Sequence, residues 1–471
     1  MIYNLLSFVS VMKTVGYVFI AILILLLMIT VHELGHYLVG KAFKFKINEF
    51  AIGMGPAIFK RKMKSGEYFS LRIFPLGGFC AFEGEDDDLD DPNAFNNKKP
   101  WQRILVLLAG ATMNYVLALL VIIFSMGFYG QNTFGAAKII EDPEYSGYSL
   151  LDDDLILSIK NDGKKTNIYM STDLIGALNH SKKGDIVYVD VIRQGKTVKG
   201  VPVKLRADVE CKNITMVNST YKALGLGSTM MLVASSDSRW FKTEDYIKQT
   251  VEGNAEELGI KYNPNGEFTY TYDDFLSYIQ DKKAGDAVTF WVGRVGYNAS
   301  VPVFVEFDSE WETVNKENEK AVLDYFGITG YDYGYYTTSE QQKLGFFTTI
   351  GHSFEYSVKI GGTVLRSLGQ LITGALGLNA VGGTVTTIVT ATQVISYGFI
   401  YTLEILALIG VNLAVFNLLP IPALDGSRIV FCIIEWIRRK PISRKIEGVI
   451  HGIGFIFIFG FAVIVDILQF I

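Results

Sequence analysis

Histidine and cysteine are both scarce in this chain of 471 residues, which holds 5 of the first and 3 of the second. Cys80, Cys211 and Cys432 are too few and too scattered for a disulfide framework or a structural zinc knuckle, so none is expected to be a metal ligand. An excess of positive charge is missing too: 43 Lys and Arg stand against 48 Asp and Glu, a formal net charge of −5, and no basic stripe with interleaved aromatics occurs. Nucleic acid is therefore not an expected partner. Charge of either sign is thin, at 19% of residues, while hydrophobic residues reach 49% and mean hydropathy is +0.27. Apolar material on that scale has to be gathered into particular stretches, the composition of a polytopic membrane protein with a sizeable soluble portion.

Two of the histidines fall in His32-Glu33-Leu34-Gly35-His36. On a helix, positions i and i+4 share a face, so both imidazoles can grip one metal ion while Glu33 points toward whatever that ion activates. The pattern is that of hydrolytic zinc chemistry; the plainer alternative is two hydrogen-bonded histidines and a structural glutamate. Residues 17–39 form an apolar run long enough to cross a bilayer core, which takes ~20 residues, and its only acidic, basic or histidine members are His32, Glu33 and His36. A cleaved signal peptide is the alternative, but no small-residue cleavage pattern precedes the His pair. Ionisable groups at membrane depth are costly and normally functional, and metal binding accounts for all of them.

Further apolar runs at residues 104–128, 403–419 and 449–467 bring the expected spans to four. Basic residues collect in the two short connections: Lys41, Lys44, Lys46, Lys60, Arg61, Lys62, Lys64 and Arg72 in the first, Arg438, Arg439, Lys440, Arg444 and Lys445 in the last. Both are expected to be cytoplasmic, which turns residues 131–342 and both termini outward and sets the His pair toward the cytoplasmic end of the first span. Residues 47–82 alternate apolar and polar positions and are punctuated by Gly53, Gly55, Gly66, Gly77 and Gly78. They are expected to form a small sheet or hairpin, either near the metal in a wet cleft or simply in the cytoplasm, because non-helical backbone at membrane depth needs protein or water around it. The acidic run 83–91 is expected to be a solvated loop.

The outward region repeats itself. Lys183-Gly184-Asp185-Ile186-Val187 recurs as Ala284-Gly285-Asp286-Ala287-Val288, Arg193-Gln194-Gly195 as Arg294-Val295-Gly296, and Val201-Pro202-Val203 as Val301-Pro302-Val303. Each copy reads as a short helix, a Gly-Asp turn, a strand, a second turn and another strand, which suits a compact α+β domain of about 100 residues. That pattern resembles a PDZ domain, a fold that takes an extended peptide tail as an added strand. The expected division is a first module over 131–220 and a second over 221–341, with Tyr221-Lys222-Ala223-Leu224-Gly225-Leu226-Gly227 as either the second module's peptide-binding loop or a plain glycine turn. In the connecting segment 342–390, Phe347, Ile350, Phe354, Val358 and Leu365 fall near helical spacing, which suits an amphipathic helix lying on the membrane surface or packed on the modules. Residues 1–130 and 391–471 then form the two halves of the membrane domain.

Two histidines leave a catalytic zinc site one protein ligand short. Asp425 stands out, in Asn417-Leu418-Leu419-Pro420-Ile421-Pro422-Ala423-Leu424-Asp425-Gly426, where two prolines break an apolar run and free side chains to face a polar cavity. A solvated Asp in a cytoplasmic turn is the alternative. Glu404 and Asp466 are rivals without a helix break beside them, and His352 and His451 look like isolated polar residues in amphipathic or apolar helices.

With those residues in view, the sequence resembles the site-2 protease family of intramembrane zinc metalloproteases. HELGH in the first span and NLLPIPALDG near the end carry the resemblance, with IGMGP at 52–56, PLGGF at 75–79, AFNNKKPWQRILVLLAG at 94–110 and Asn114. It covers nearly the whole chain, and the paired PDZ-like modules are similar to the bacterial RseP-type group. The resemblance implies an α-helical polytopic membrane protein of four spans, a membrane-associated β-hairpin or sheet over 47–82 beside the cleft, and two inserted PDZ-like domains. It implies Zn2+ held by His32, His36 and Asp425, Glu33 as catalytic base, and Asn412 and Asn417 holding the substrate strand. It also implies a bacterial cell membrane location, with the active site toward the cytoplasm and the PDZ-like pair outside. The implied substrates are single-span membrane proteins already shortened on their outer side, such as an anti-sigma factor or a remnant signal peptide.

The sequence departs from the family pattern in three places. Ala111-Thr112-Met113-Asn114 lacks the common proline, Val381-Gly382-Gly383-Thr384 replaces a familiar Ser-Gly-Pro in the stretch 379–385, and Ser427-Arg428 stands where Gly-His is frequent. None removes a ligand. A non-catalytic membrane scaffold whose PDZ-like pair binds extracellular tails is the main alternative, though it has no need of Glu33 at membrane depth. A transporter would be expected to carry its repeat in the membrane, and this repeat lies outside it.

Overall fold

The computed structural model describes residues 2–85, 91–235, 238–243, 245–261, 272–294, 300–378 and 381–470. They fall into two units, one of residues 1–131 and 341–471, the other of residues 132–340. Four helices are long and apolar enough to cross a membrane, over Met12–Ala42, Pro100–Phe128, Phe399–Asn417 and Lys445–Leu468. Each contains or overlaps one of the apolar runs read from the sequence.

Helix α1 (Ile2–Ala42) ends where Lys44 takes a left-handed conformation, φ 58°, and the chain turns into a β-hairpin of β1 (Ile47–Lys62) and β2 (Tyr68–Phe82). The stretch from Glu49 to Ile52 pairs on one side with residues 78–81 and on the other with 68–71, so the long strands fold over into a small sheet. Its inner face supplies Ile47, Phe50, Cys80 and Phe82 to a buried cluster with Phe95, Val106, Leu107 and Cys432. Helix α2 (Pro100–Phe128) begins on a proline, whose missing N–H costs nothing in the first turn. It packs on α1 through a contact without side chains: a Cβ on Gly35 would lie 2.4 Å from the Ala109 carbonyl oxygen.

The unit 132–340 holds two sheets built to one plan. In the first, β3 (Gln131–Ala136), β4 (Asp154–Asn161), β6 (Ile186–Arg193) and β7 (Lys196–Lys204) lie side by side, with β5 (Lys164–Asn167) on β4 and α3 (Ser171–Leu178) packed against them. Helix α4 (Asn218–Leu224) leads to the second, where β8 (Ser228–Ala234), β9 (Tyr246–Glu252), β10 (Ala287–Gly293) and β11 (Val301–Glu306) are neighbours and α5 (Tyr272–Ile279) matches α3. The repeat read from the sequence is repeated in space. Lys182 N–H donates to Asp185 Oδ2 and Lys283 N–H to Asp286 Oδ2, each at 2.8 Å, and the intervening Gly184 and Gly285 have φ of 93° and 91°. Arg193 forks onto Asp154 at 2.7 and 2.6 Å, and Arg294 onto Asp245 at the same distances, with both carboxylates fully buried. The rest of the second arginine turn, Val295-Gly296, lies outside the described residues.

Past β11, α6 (Glu319–Tyr325) precedes β12 (Ile328–Tyr335), which pairs with β8, and β13 (Thr337–Gln342), which joins the first sheet beside β3. The first sheet thus draws strands from both ends of the unit, and the division expected at 220/221 falls inside α4. Tyr221, Ala223, Leu224 and Leu226 are buried in the core of the first sheet, Tyr221 stacks on Phe134 with ring centroids 5.5 Å apart, and Leu226 bridges Ile139. Of the two readings of residues 221–227, the loop of the second module gives way, because the apolar side chains are spent on the first core, and a glycine turn at Gly225 remains. Gly225 closes α4 with φ 80°, where a Cβ would strike Arg206.

Helix α7 (Phe346–Ile372) runs beside α2 and α9 (Phe399–Asn417). Its small and polar residues Thr349, Ser353 and Ser357 are buried, with Ser357 Oγ 2.8 Å from Tyr115 Oη, while Phe347, Ile350, Phe354, Val358 and Leu365 are exposed. Helix α8 (Thr384–Ser396) is capped by Asp466, which accepts from Val385 N and Thr386 N at 3.0 Å and from Thr386 Oγ1 at 2.8 Å. That duty accounts for one rival metal ligand; residues 379 and 380 lie outside the described set. After α9 the two prolines lead into α10 (Asp425–Arg438), and α11 (Arg444–Phe470) follows. A buried ion pair, Arg103 Nη1 to Glu435 Oε2 at 2.5 Å, ties α2 to α10.

Candidate metal centre

Two helices of the membrane unit, α1 and α10, bring His32, His36 and Asp425 together. His32 and His36, both buried, sit one turn apart on α1, and the break after α9 returns the chain so that Asp425 opens α10 beside them. His32 Nε2 lies 3.0 Å from Asp425 Oδ2 and 3.0 Å from His36 Nε2, and His36 Nε2 is 3.3 Å from the same carboxylate oxygen. Among the described residues these are the His, Cys, Asp and Glu side chains grouped to hold a metal, with ligand atoms within 4.8 Å of one another. The donor set fits zinc, which takes imidazole nitrogen and carboxylate oxygen and in catalytic sites keeps a position open beside three protein ligands.

The backbone around the cluster is shaped to it. A Cβ on Gly110 of α2 would lie 2.5 Å from His36 Nε2 and 2.7 Å from His32 Nε2, so only glycine leaves room for both rings. His36 Nδ1 is 2.8 Å from the Val106 carbonyl oxygen, which fixes that ring with Nε2 toward the cluster. The turn before Asp425 is pinned by Ala423, φ 81°, whose N–H donates to His451 Nδ1 at 3.0 Å.

Glu33 faces the hairpin, hydrogen-bonded to the backbone of Cys80, with its Cγ 3.5 Å from where a Cβ on Gly78 would stand. The strand 78–82 thus forms one wall of a cavity of about 310 Å³ whose lining includes both histidines, Glu33, Asp425, Glu85 and Arg428. Arg428 pairs with Glu85, and the same two residues line an adjoining cavity of about 230 Å³ with Arg103, Glu447 and His451. Burial lowers the Arg428 guanidinium's proton affinity and the Glu85 carboxylate more than restores it. Burial pushes the Cys80 thiol far up, so it stays neutral. The acidic run expected as a solvated loop is partly structural: Glu83 and Asp91 both hold Lys46, Glu85 holds Arg428, and residues 86–90 lie outside the described set.

The other expected site residues are placed differently. Asn417 ends α9 with its amide nitrogen 3.3 Å from His32 Nδ1. Asn412 has a buried side-chain oxygen without a hydrogen-bond partner among the described residues, as does Asn114, whose amide nitrogen is also unpartnered. His352 Nδ1 bonds Gln131 Oε1 at 2.7 Å, away from the cluster. Sequence reasoning gave no site role to Gly110, Val106, Glu85 or Arg428. Val106 and Gly110 stood inside the quoted motif 94–110, Glu85 in the acidic run and Arg428 among the departures from the family pattern, but only the packing of α2 against α1 and of the acidic loop against α10 gives them work.

A family model described as peptidase family M50 matches residues 20–461. The chain is 24% identical to the regulator of sigma E protease of Haemophilus influenzae, over 94% of this chain and 96% of that protein. It is 29% identical to a Clostridium perfringens protein named as a candidate zinc metalloprotease, over 96% and 97%. It is also 27% identical to an Enterococcus faecalis protein named as the candidate protease Eep, over 93% and 95%.

Proposed function

The chain belongs to peptidase family M50, the zinc-dependent site-2 proteases, and on that premise we propose that it cuts the membrane segments of single-span proteins within the bilayer. The observation that carries this reading is the meeting of His32, inside an apolar helix long enough to cross a membrane, with Asp425, 393 residues away in sequence at the start of α10, with Glu33 next to His32. His32, His36 and Asp425 would hold the zinc, whose Lewis acidity activates a water and polarises the scissile carbonyl. Glu33 would take the water's proton and deliver it to the departing amine, from a position already against the wall of the cavity.

A substrate helix hides its carbonyls in its own hydrogen bonds and must unwind before it can be cut. The strand 78–82, which lines the cavity, suits the stretched backbone as an added strand, and the unpartnered oxygen of Asn412 suits a backbone N–H. Basic residues in the two short connections favour a cytoplasmic active site with residues 132–340 facing outward in a bacterial cell membrane. There the PDZ-like pair would admit substrates already trimmed on their outer side, such as a cut anti-sigma factor or a signal-peptide remnant, and would hold their tails. Deleting residues 132–340 would then permit cleavage of untrimmed substrate.

The deciding experiment measures zinc content and cleavage of a transmembrane reporter in the wild type and in Glu33→Gln. Zinc retained with cleavage lost is the expected result. Equal processing by both proteins would sink the proposal and leave the membrane scaffold as the better reading.

A further inference from the structure

We infer that Asn417 is a positioning residue of the metal centre, whose side-chain amide holds His32 in the tautomer that turns Nε2 toward His36 and Asp425. The inference rests on the zinc-protease reading above and departs from it in giving Asn417 a task at the metal rather than on the substrate.

A neutral imidazole has one bare nitrogen and one N–H, so a ring that ligates through one nitrogen must donate from the other. Metal-bound histidines nearly always send that second N–H to a carbonyl, a carboxylate or water, and the partner fixes both tautomer and ring orientation. For His36 the partner is the Val106 carbonyl oxygen, 2.8 Å from Nδ1. That acceptor is main chain and cannot be altered by substitution.

His32 stands in the same position with a different partner. Its Nε2 is 3.0 Å from His36 Nε2 and 3.0 Å from Asp425 Oδ2, so Nε2 is its ligand atom and Nδ1 carries the hydrogen. The one group within hydrogen-bond reach of Nδ1 among the described residues is the Asn417 amide, at 3.3 Å. The nitrogen and oxygen ends of an amide exchange places by a half-turn without changing its shape, and only the oxygen can accept. The network therefore assigns Oδ1 to His32.

The placement of Asn417 in the chain strengthens the assignment. It is the last residue of α9, on the near side of the break that ends at Asp425. One short side chain thus ties the end of α9 to a ligand on α1, while the backbone after it carries the remaining ligand. Both arms of the break serve the same cluster.

The test uses the full chain in lipid nanodiscs, as wild type, Asn417→Leu and Asn417→Asp. Zinc affinity is measured by competition with a chromogenic chelator, and the Co2+-loaded protein by visible absorption. Leucine keeps the volume and removes the acceptor; zinc affinity should fall about 10- to 100-fold and the Co2+ bands should change. Aspartate offers a stronger acceptor at the same place and should restore affinity to within a few-fold of wild type. Cleavage by the leucine variant at saturating zinc should show a lowered kcat with KM little changed.

A leucine variant with wild-type zinc affinity and Co2+ spectrum but a raised KM would make Asn417 a substrate contact and overturn the inference. So would equal zinc loss by the leucine and aspartate variants, which would mean a general packing role. A wild type that binds no zinc would instead bring down the protease reading on which the inference rests.

Discussion

Gly110 stands against His36 at a distance no other residue could keep: a Cβ there would lie 2.5 Å from the ring's Nε2. Helix α1, which carries both candidate histidine ligands, and α2, which packs on it, approach through glycine on both sides, Gly35 on α1 meeting the Ala109 carbonyl and Gly110 on α2 meeting the rings. Close helix contact in a membrane commonly relies on such small residues. Here the same contact sets where the ligands stand.

Gly110→Ala should therefore cost metal more than fold. The nearest atoms the added methyl would meet are those of the two rings themselves, so it must push the imidazoles off the cluster, lowering zinc affinity by about tenfold or more. Gly127→Ala is the control on the same helix, because its Cβ would meet only Thr349 Cγ2 at 3.9 Å. Zinc titration of both variants, with helicity by circular dichroism, checks the point. If Gly110→Ala binds zinc as tightly as Gly127→Ala, the cradle has no bearing on the site.

Much of the candidate site could be read from the sequence because metal-binding chemistry leaves local marks, and His32, His36 and Asp425 do lie together. An i, i+4 histidine pair in an apolar run is visible without any fold, and so is an acid after a double-proline break. What stayed hidden depends on which segments meet. Nothing local says that Asn417 reaches His32, that Glu85 leaves its acidic run to hold Arg428, or that Asp466 caps α8. The repeat was legible as well, since Gly184 and Gly285 recur with the same turn. The course of β13 back to the first sheet was not, because a six-residue polar strand carries no mark of its partner. The exposed apolar stripe of α7 was visible by its spacing, whereas the buried face of threonine and serine against α2 runs opposite to what a soluble amphipathic helix would show.

The two arginine forks of the repeated sheets allow a matched comparison. Asp154 and Asp245 are both fully buried, yet the Arg193 side chain is 28% exposed and that of Arg294 is 14% exposed. Removing one partner of a buried pair strands the other, at ~3–5 kcal/mol when water cannot reach it. Asp245→Asn should approach that range and Asp154→Asn should cost about half as much, since water can reach Arg193 more easily. Hydrogen exchange on the full chain reads the effect locally, at β6 and β7 for one variant and at β10 and β11 for the other. Equal losses in both sheets for either variant would show that the forks do not act within their own sheets.

The hairpin should be sensitive to acid, and Glu49 is the main reason. Burial pushes its carboxyl up, but Lys60 Nζ, Ser70 Oγ and Arg72 Nη2, each at 2.6 Å, overcome that and hold it at about 2. Glu67 is held at about 2 as well, with burial outweighed chiefly by Lys41 at 2.8 Å. A carboxyl whose folded value is depressed stabilises the fold fully above its ordinary value of 4.5 and loses that contribution as pH falls toward 2. Amide protection factors in β1 and β2, taken relative to the intrinsic exchange rate at each pH, should fall between about pH 5 and about pH 3, and in Glu49→Gln the fall should shrink to what Glu67 supplies. If the variant and the wild type lose protection equally over that interval, the Glu49 cluster is not what makes the hairpin acid-sensitive.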